Sequence, residues 1–180
     1  GAGGACAQGT GMIRVALVAD THGMLDERIA EIVADCDLVV HAGDIGAPRV
    51  LAALQPKSGR VMAVRGNNDT PLQWPRGSEG WLRELPERVE IDLPGGILAV
   101  EHGHRVLPAA LRHARLRERH PDARAVVYGH THRLVIDREA EPWVLNPGAA
   151  GRIRTYGAPS CLVLNAGADQ WSVDIHVFRG

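Results

Sequence analysis

The segment IRVALVADTH, Ile13 to His22, decides the fold. Its first seven residues are apolar apart from Arg14, and such a run ended by polar residues predicts a strand buried on both faces. Downstream, MLDERIAEIVA (24–34) puts Leu25, Ile29, Ile32 and Val33 at i, i+4, i+7 and i+8, one face of a helix. DLVVHA (37–42) predicts a second strand running into Gly43-Asp44, and Pro48 is placed to open a short helix through Leu54. Strand and helix alternate as in an α/β domain.

The pattern continues along the chain. Arg60 to Val64 predicts a third strand, followed by a loop-like stretch through Trp74 and Gly80 and a weak helical patch from Trp81 to Leu85. Val89 to Leu93 and Ile97 to Val100 flank Pro94-Gly95-Gly96, a hairpin signature. An Arg-rich amphipathic helix is expected from Pro108 to about His120, then a buried strand from Arg124 to Tyr128. Leu134 to Asp137, Cys161 to Leu164 and Trp171 to Phe178 are strand-like.

At 180 residues and 45% hydrophobic content the chain suits one domain with a real core. Residues 1–11, rich in Gly and Ala, are expected to be a disordered leader or cloning remnant, with the folded domain spanning 12–180. The net charge of −1 argues against the long-range basic field of a non-specific nucleic-acid binder. Cys6, Cys36 and Cys161 are odd in number and without CxxC spacing, so neither a disulfide framework nor a thiolate zinc site is indicated. With no apolar run of membrane-spanning length and no signal-peptide pattern, a cytoplasmic setting is expected.

Five polar clusters follow five apolar strands directly: Asp20-Thr21-His22, Gly43-Asp44, Gly66-Asn67-Asn68-Asp69, His102-Gly103-His104 and Gly129-His130-Thr131-His132. Ligands of open α/β sheets bind outside the carboxyl ends of the strands, so the clusters should converge there. Carboxylate, imidazole and amide donors without thiolates suit Mn²⁺, Fe²⁺ or Zn²⁺, and Asp44, between two such sets, is suited to bridge a pair of ions.

The ordered set DxH, GD, GNxD, HGH and GHTH resembles the calcineurin-like metallophosphoesterases, and more narrowly their small bacterial and archaeal phosphodiesterase branch. Asn146-Pro147-Gly148, followed by Arg152, is similar to a turn of that branch. The resemblance runs from Met12 to the C-terminus. It implies a single four-layer α/β/β/α domain and a phosphoesterase, most narrowly a phosphodiesterase. It also implies a dinuclear centre of divalent ions, Mn²⁺ first and Fe, Zn, Ni or Co next, with a bridging hydroxide as nucleophile.

By motif position, Asp20, His22, Asp44 and His132 are the ligands implied for the first ion. Asn67, His102 and His130, with Asp44 bridging, are implied for the second. Asn68 stands where the wider family has a His that protonates the leaving oxygen, and an amide cannot act as a general acid. His104 is the alternative proton donor or a supporting residue, and Asp69 is expected to orient the GNND turn. Expected partners are small phosphate esters or nucleotides, with nucleic-acid ends second and a homo-oligomer open. The rival readings are a protein-binding scaffold of the same fold, as in the small retromer subunit, and, among enzymes, a nuclease or phosphomonoesterase.

Other candidates have plainer readings. His113, His120 and His176 are expected to be solvated or structural, and His41, inside a strand, to be a core or ligand-supporting residue. Trp74 and Trp81 fit packing better than a lid. Asn146-Pro147-Gly148 is most simply a turn.

Overall fold

The computed structural model describes residues 11–180, so the expectation for the leader falls, Gly11 apart, outside the described residues. Strands β1 (Ile13–Val18), β2 (Leu38–His41), β3 (Arg60–Ala63), β9 (Ser160–Ala166) and β10 (Trp171–Val177) form one sheet, in the order β10-β9-β1-β2-β3. The second sheet contains β4 (Arg88–Leu93), β5 (Gly96–Glu101), β6 (Ala125–Val127), β7 (Leu134–Asp137) and β8 (Trp143–Pro147), ordered β4-β5-β6-β8-β7. Each sheet mixes parallel and antiparallel neighbours.

Side chains alternate across a strand, and this sorts the core into layers. Val15, Leu17 and Ala19 face Leu98, Val100, Ala125, Val127 and Leu145 of the other sheet, forming the central layer. Ala16 and Val18 point outward, where Ile29 and Val33 of α1 (Glu27–Ala34) cover them. On the far side Ala99 and Val126 meet Leu116 of α4 (Arg112–Arg119). The result is the expected α/β/β/α arrangement. Apolar runs such as IRVALV are continuous because both faces of these strands are covered.

Local chemistry accounts for the remaining elements. Asp26 caps α1 by accepting from the Arg28 amide at 2.9 Å. Pro94-Gly95 closes the β4–β5 hairpin with Gly95 at φ 87°, where a side chain would be strained. Pro48 opens α2 (Pro48–Ala53), and α3 (Glu79–Glu84) buries Leu82 with Ile45, Val50 and Trp74.

Two expectations are corrected. The helix expected from Pro108 begins as a 3-10 turn at Ala109–Leu111, and α4 starts only at Arg112, whose buried guanidinium donates to the Val106 carbonyl at 3.2 Å. Asn146-Pro147 is not a free turn but the end of β8, paired with Val135 and Leu134. Proline is tolerated there because β6 has already ended at Val127, opposite Leu145, so no ladder donor is required on that side.

Candidate metal centre

Register brings the clusters together. Val18 pairs with His41 in parallel, so the chains leave the sheet side by side and the Asp20 and His22 amides donate to the carbonyls of Gly43 and Asp44, each at 3.0 Å. β3 lies beside β2 and delivers the 66–69 turn, whereas β5 and β6 bring His102 and the 129–132 loop from the other sheet. The Gly129 amide donates to the His102 carbonyl at 3.0 Å.

All seven candidate ligands meet at this edge. Asp44 Oδ2 lies 3.7 Å from His22 Nε2 and 3.4 Å from His102 Nε2. Asp20 Oδ1 lies 3.7 Å from His132 Nε2 and 4.0 Å from His102 Nε2. Asn67 Oδ1 is 3.1 Å from His102 Nε2 and 3.3 Å from His130 Nδ1. The donor atoms of Asp20, His22 and His132, and those of Asp20, Asp44 and His102, form two overlapping groups. Asp20 is common to both groups, and Asp44 reaches the first through His22 Nε2 at 3.7 Å.

The hydrogen bonds around this cluster leave a donor set that fits cations. His102 Nδ1 donates to the Ala42 carbonyl at 2.8 Å, so Nε2 faces the acceptor oxygens of Asp44 and Asn67 and needs either a proton or a metal ion between them; burial disfavours the proton, but Asp44 and Asp20 outweigh it and raise the His102 pKa in the metal-free site. His132 Nδ1 likewise donates to the Arg154 carbonyl at 3.1 Å, and its Nε2 meets His22 Nε2 at 3.1 Å. Asp20 Oδ2 is buried with no hydrogen-bond partner. Imidazole nitrogens and carboxylate oxygens converging in a largely buried site fit divalent ions, which would take the place of the protons now shared among them.

Charge and strain agree with that fit. Burial pushes the Asp20 carboxyl up to about 7, opposed by His102 and reinforced by Asp44. Burial would also raise Asp44, but hydrogen bonds and charge from His102 and the bonds from Asn68 hold it well below the usual carboxylate range. Burial, with the neighbouring His102 charge, takes His130 down to about 4, favouring the neutral imidazole that a metal needs. Asp20, His22, Asp44, His130 and His132 all hold positive φ between 47° and 70°. Non-glycine residues in that region each cost roughly 1–3 kcal/mol, and such strain concentrates at functional sites.

A supporting layer holds the ligands. Asp69 accepts five N–H bonds, from the amides of Asp44, Ile45, Gly46 and Gly66 and from the Trp74 indole, at 2.8–3.2 Å. Trp74 is thereby buried scaffolding and no lid, while Trp81 is half exposed. Gly66 must be glycine, since a Cβ there would fall 2.2 Å from Asp44 Oδ1. Asn146, read from sequence as part of a turn, donates to the Gly129 carbonyl and to Thr131 Oγ1, both at 3.0 Å, bracing the 129–132 loop. Only its place next to Pro147-Gly148 could have drawn attention to it. The Ala42 and Arg154 carbonyls carry no signal in sequence, because any residue supplies a carbonyl.

Asn68 and His104 occupy different settings. The Asn68 amide and side chain donate to the two oxygens of Asp44, both at 2.9 Å, so it holds the carboxylate. His104 is partly exposed, its ring 5.4 Å from that of His102 and 6.3 Å from that of His130, with Nδ1 buried and unpartnered. Of the other histidines, His113 bridges Asp137 and Tyr128 at 2.7 and 2.8 Å, and His120 pairs with Glu101.

His41 is fully buried; its Nε2 donates to Thr21 Oγ1 at 2.9 Å, and its Nδ1 accepts from the Gly43 amide at 3.1 Å. Thr21 donates onward to the Ile45 carbonyl, which fixes this neutral tautomer. Burial, then the His102 charge, lowers its pKa from 6.5 to about 3. A lowered histidine pKa means the unfolded chain binds more protons, so this stability is present above pH 6.5 and is lost as pH falls toward 3. Between pH 7 and 5 the metal-free protein is expected to lose about 2 kcal/mol through His41. Urea midpoints should show this slope, and it should flatten in His41→Gln; an equal slope in both proteins would refute the assignment.

The fold and this cluster together define a calcineurin-like phosphoesterase. A family model of the calcineurin-like phosphoesterase superfamily domain matches residues 13–169, and the chain belongs to that superfamily. A phosphodiesterase of Methanocaldococcus jannaschii is 25% identical over 148 residues, spanning 76% of this chain and 83% of the relative. Among solved structures, an archaeal phosphodiesterase superposes with TM-score 0.67 at 21% identity, covering 91% of this chain and 100% of that one. Entamoeba histolytica Vps29 complexed with Zn²⁺ gives TM-score 0.69 at 19% identity, covering 92% and 98%. No helix among the described residues is long and apolar enough to cross a membrane.

Proposed function

We propose that this protein is a phosphodiesterase working through two divalent metal ions, Mn²⁺ first. The observation that carries this reading is the convergence of imidazole nitrogens, carboxylate oxygens and an amide oxygen at one largely buried point, with Asp20 Oδ2 left without a donor. Asp20, His22, Asp44 and His132 would hold one ion; Asp44, Asn67, His102 and His130 would hold the other. When bound, such a pair supplies Lewis-acid activation of water and neutralises the charge that develops on the phosphoryl oxygens.

The chain's own residues do the positioning. Asp44 is held at both oxygens by Asn68, and its amide by Asp69, so its carboxylate is preset for bridging. Asn68 has no proton to lose to a leaving oxygen. His104 is the imidazole left free beside the centre, but burial and the His102 charge lower its pKa, which leaves less of the protonated imidazolium that a general acid needs. Diesters with acidic leaving groups therefore suit the site best.

Aryl phosphodiester hydrolysis with Mn²⁺ tests the reading. Turnover is expected to vanish on exhaustive chelation and return on adding Mn²⁺ back. A protein that folds and binds Mn²⁺ yet hydrolyses no diester would favour a scaffold role, to which the likeness to Vps29 lends weight.

A further inference from the structure

Beside the proposed centre, on the His132 side, lies a cleft of about 310 Å³ that the metal chemistry leaves unused. His132 is among its lining residues and its Nε2 lies 3.7 Å from Asp20 Oδ1, so the cleft adjoins the ligand cluster. Its apolar surface comes from Leu134 of β7 and from Ile175 and Val177 of β10, the latter two 53% and 39% exposed. Tyr156 also lines it, 55% exposed, with the Arg133 guanidinium over its ring, 4.0 Å from the centroid. Arg179 adds a second cation to the lining.

These features make one recognition surface. Among the described residues neither Arg133 nor Arg179 has a carboxylate within ion-pair distance, so both cations lining the cleft are available to an anionic ligand, unlike Arg117 with Asp137 and Arg119 with Glu101. An exposed aromatic ring with a stacked guanidinium offers planar surfaces on which a base can extend the stack, and unpaired arginines favour an anionic ligand. The volume suits one nucleoside.

We infer that this cleft, built on Tyr156 and Arg133, is the subsite that takes the nucleoside of a nucleotide-bearing substrate while its phosphate lies at the metal centre. The inference rests on the phosphodiesterase reading and names the substrate class for it. The base stacks on the Tyr156–Arg133 pair, the sugar lies over Leu134 and Val177, and the arginines attract the anionic ligand.

Calorimetric titration of the Mn²⁺-loaded protein with adenosine 5′-monophosphate and ribose 5-phosphate separates base from phosphate. The nucleotide is expected to bind about tenfold more tightly. That preference should disappear in Tyr156→Ala and weaken in Arg133→Ala, while Tyr156→Phe keeps it; ribose 5-phosphate affinity stays unchanged in Tyr156→Ala. Equal wild-type affinities, or a preference that survives Tyr156→Ala, would overturn the subsite. Affinity that climbs from the mononucleotide to a tetranucleotide would overturn the single-nucleoside assignment. Absent diester hydrolysis with the base preference intact would instead count against the phosphodiesterase reading alone.

Discussion

Asp69→Ala is expected to destabilise the protein by roughly 3–5 kcal/mol, because five N–H donors, all but that of Gly46 buried, lose their acceptor at once and each unsatisfied buried donor costs about 1 kcal/mol or more. The donors belong to Asp44, Ile45, Gly46, Gly66 and Trp74, so the loss falls on the two turns that carry Asp44 and Asn67. Trp74→Phe removes a single donor and leaves the ring's packing with Ile45, Val50 and Leu82, so it should cost only about 1 kcal/mol. Urea midpoints measured with the slope in denaturant check both variants. An Asp69→Ala midpoint close to wild type would mean that water replaces the carboxylate at no cost, and the turns would need another explanation. Asp69→Asn tests the same point differently: its NH₂ group would point a donor at donors.

Asp44→Asn is expected to lower diester kcat/KM by at least about 10³, a loss of transition-state stabilisation of roughly 4 kcal/mol. A neutral amide removes the charge placed between His22 and His102, 3.7 and 3.4 Å from their Nε2 atoms. The fold should survive. Position 44 sits at φ 56°, a conformation asparagine tolerates better than most residues, and an amide oxygen can still accept from the Asn68 backbone. Mn²⁺ titration should show weakened binding, while the thermal midpoint of the metal-free variant stays within a few degrees of wild type. Full turnover in this variant would sink the bridging role and the two-ion mechanism built on it.

The two expectations separate kinds of evidence. The importance of Asp44 could be argued from the Gly43-Asp44 pair at a strand end, since ligand chemistry is local to residue type and spacing. The importance of Asp69 has a magnitude only because backbone amides from residues 44–46 and 66 meet around one carboxylate. Spacing in the GNND turn suggested an orienting role; it could not count donors arriving from another strand. In the same way β8 was illegible, because Trp143 to Asn146 is strand only through its partners β6 and β7, whereas Asn-Pro-Gly by itself is turn chemistry.

IRVALVADTH by itself determined a buried strand with a candidate ligand pair, Asp20 and His22, at its end, because burial on both faces and ligand type are written into local composition. Its outcome as two carboxylates facing four imidazoles was decided by the tertiary structure. The register Val18 to His41 sets Asp20 against Gly43, and the packing of two sheets through Val15, Leu17, Leu98 and Val127 brings His102, His130 and His132 to the same edge. Register and sheet packing are contacts between distant residues, and their energy depends on partners that a local reading does not contain.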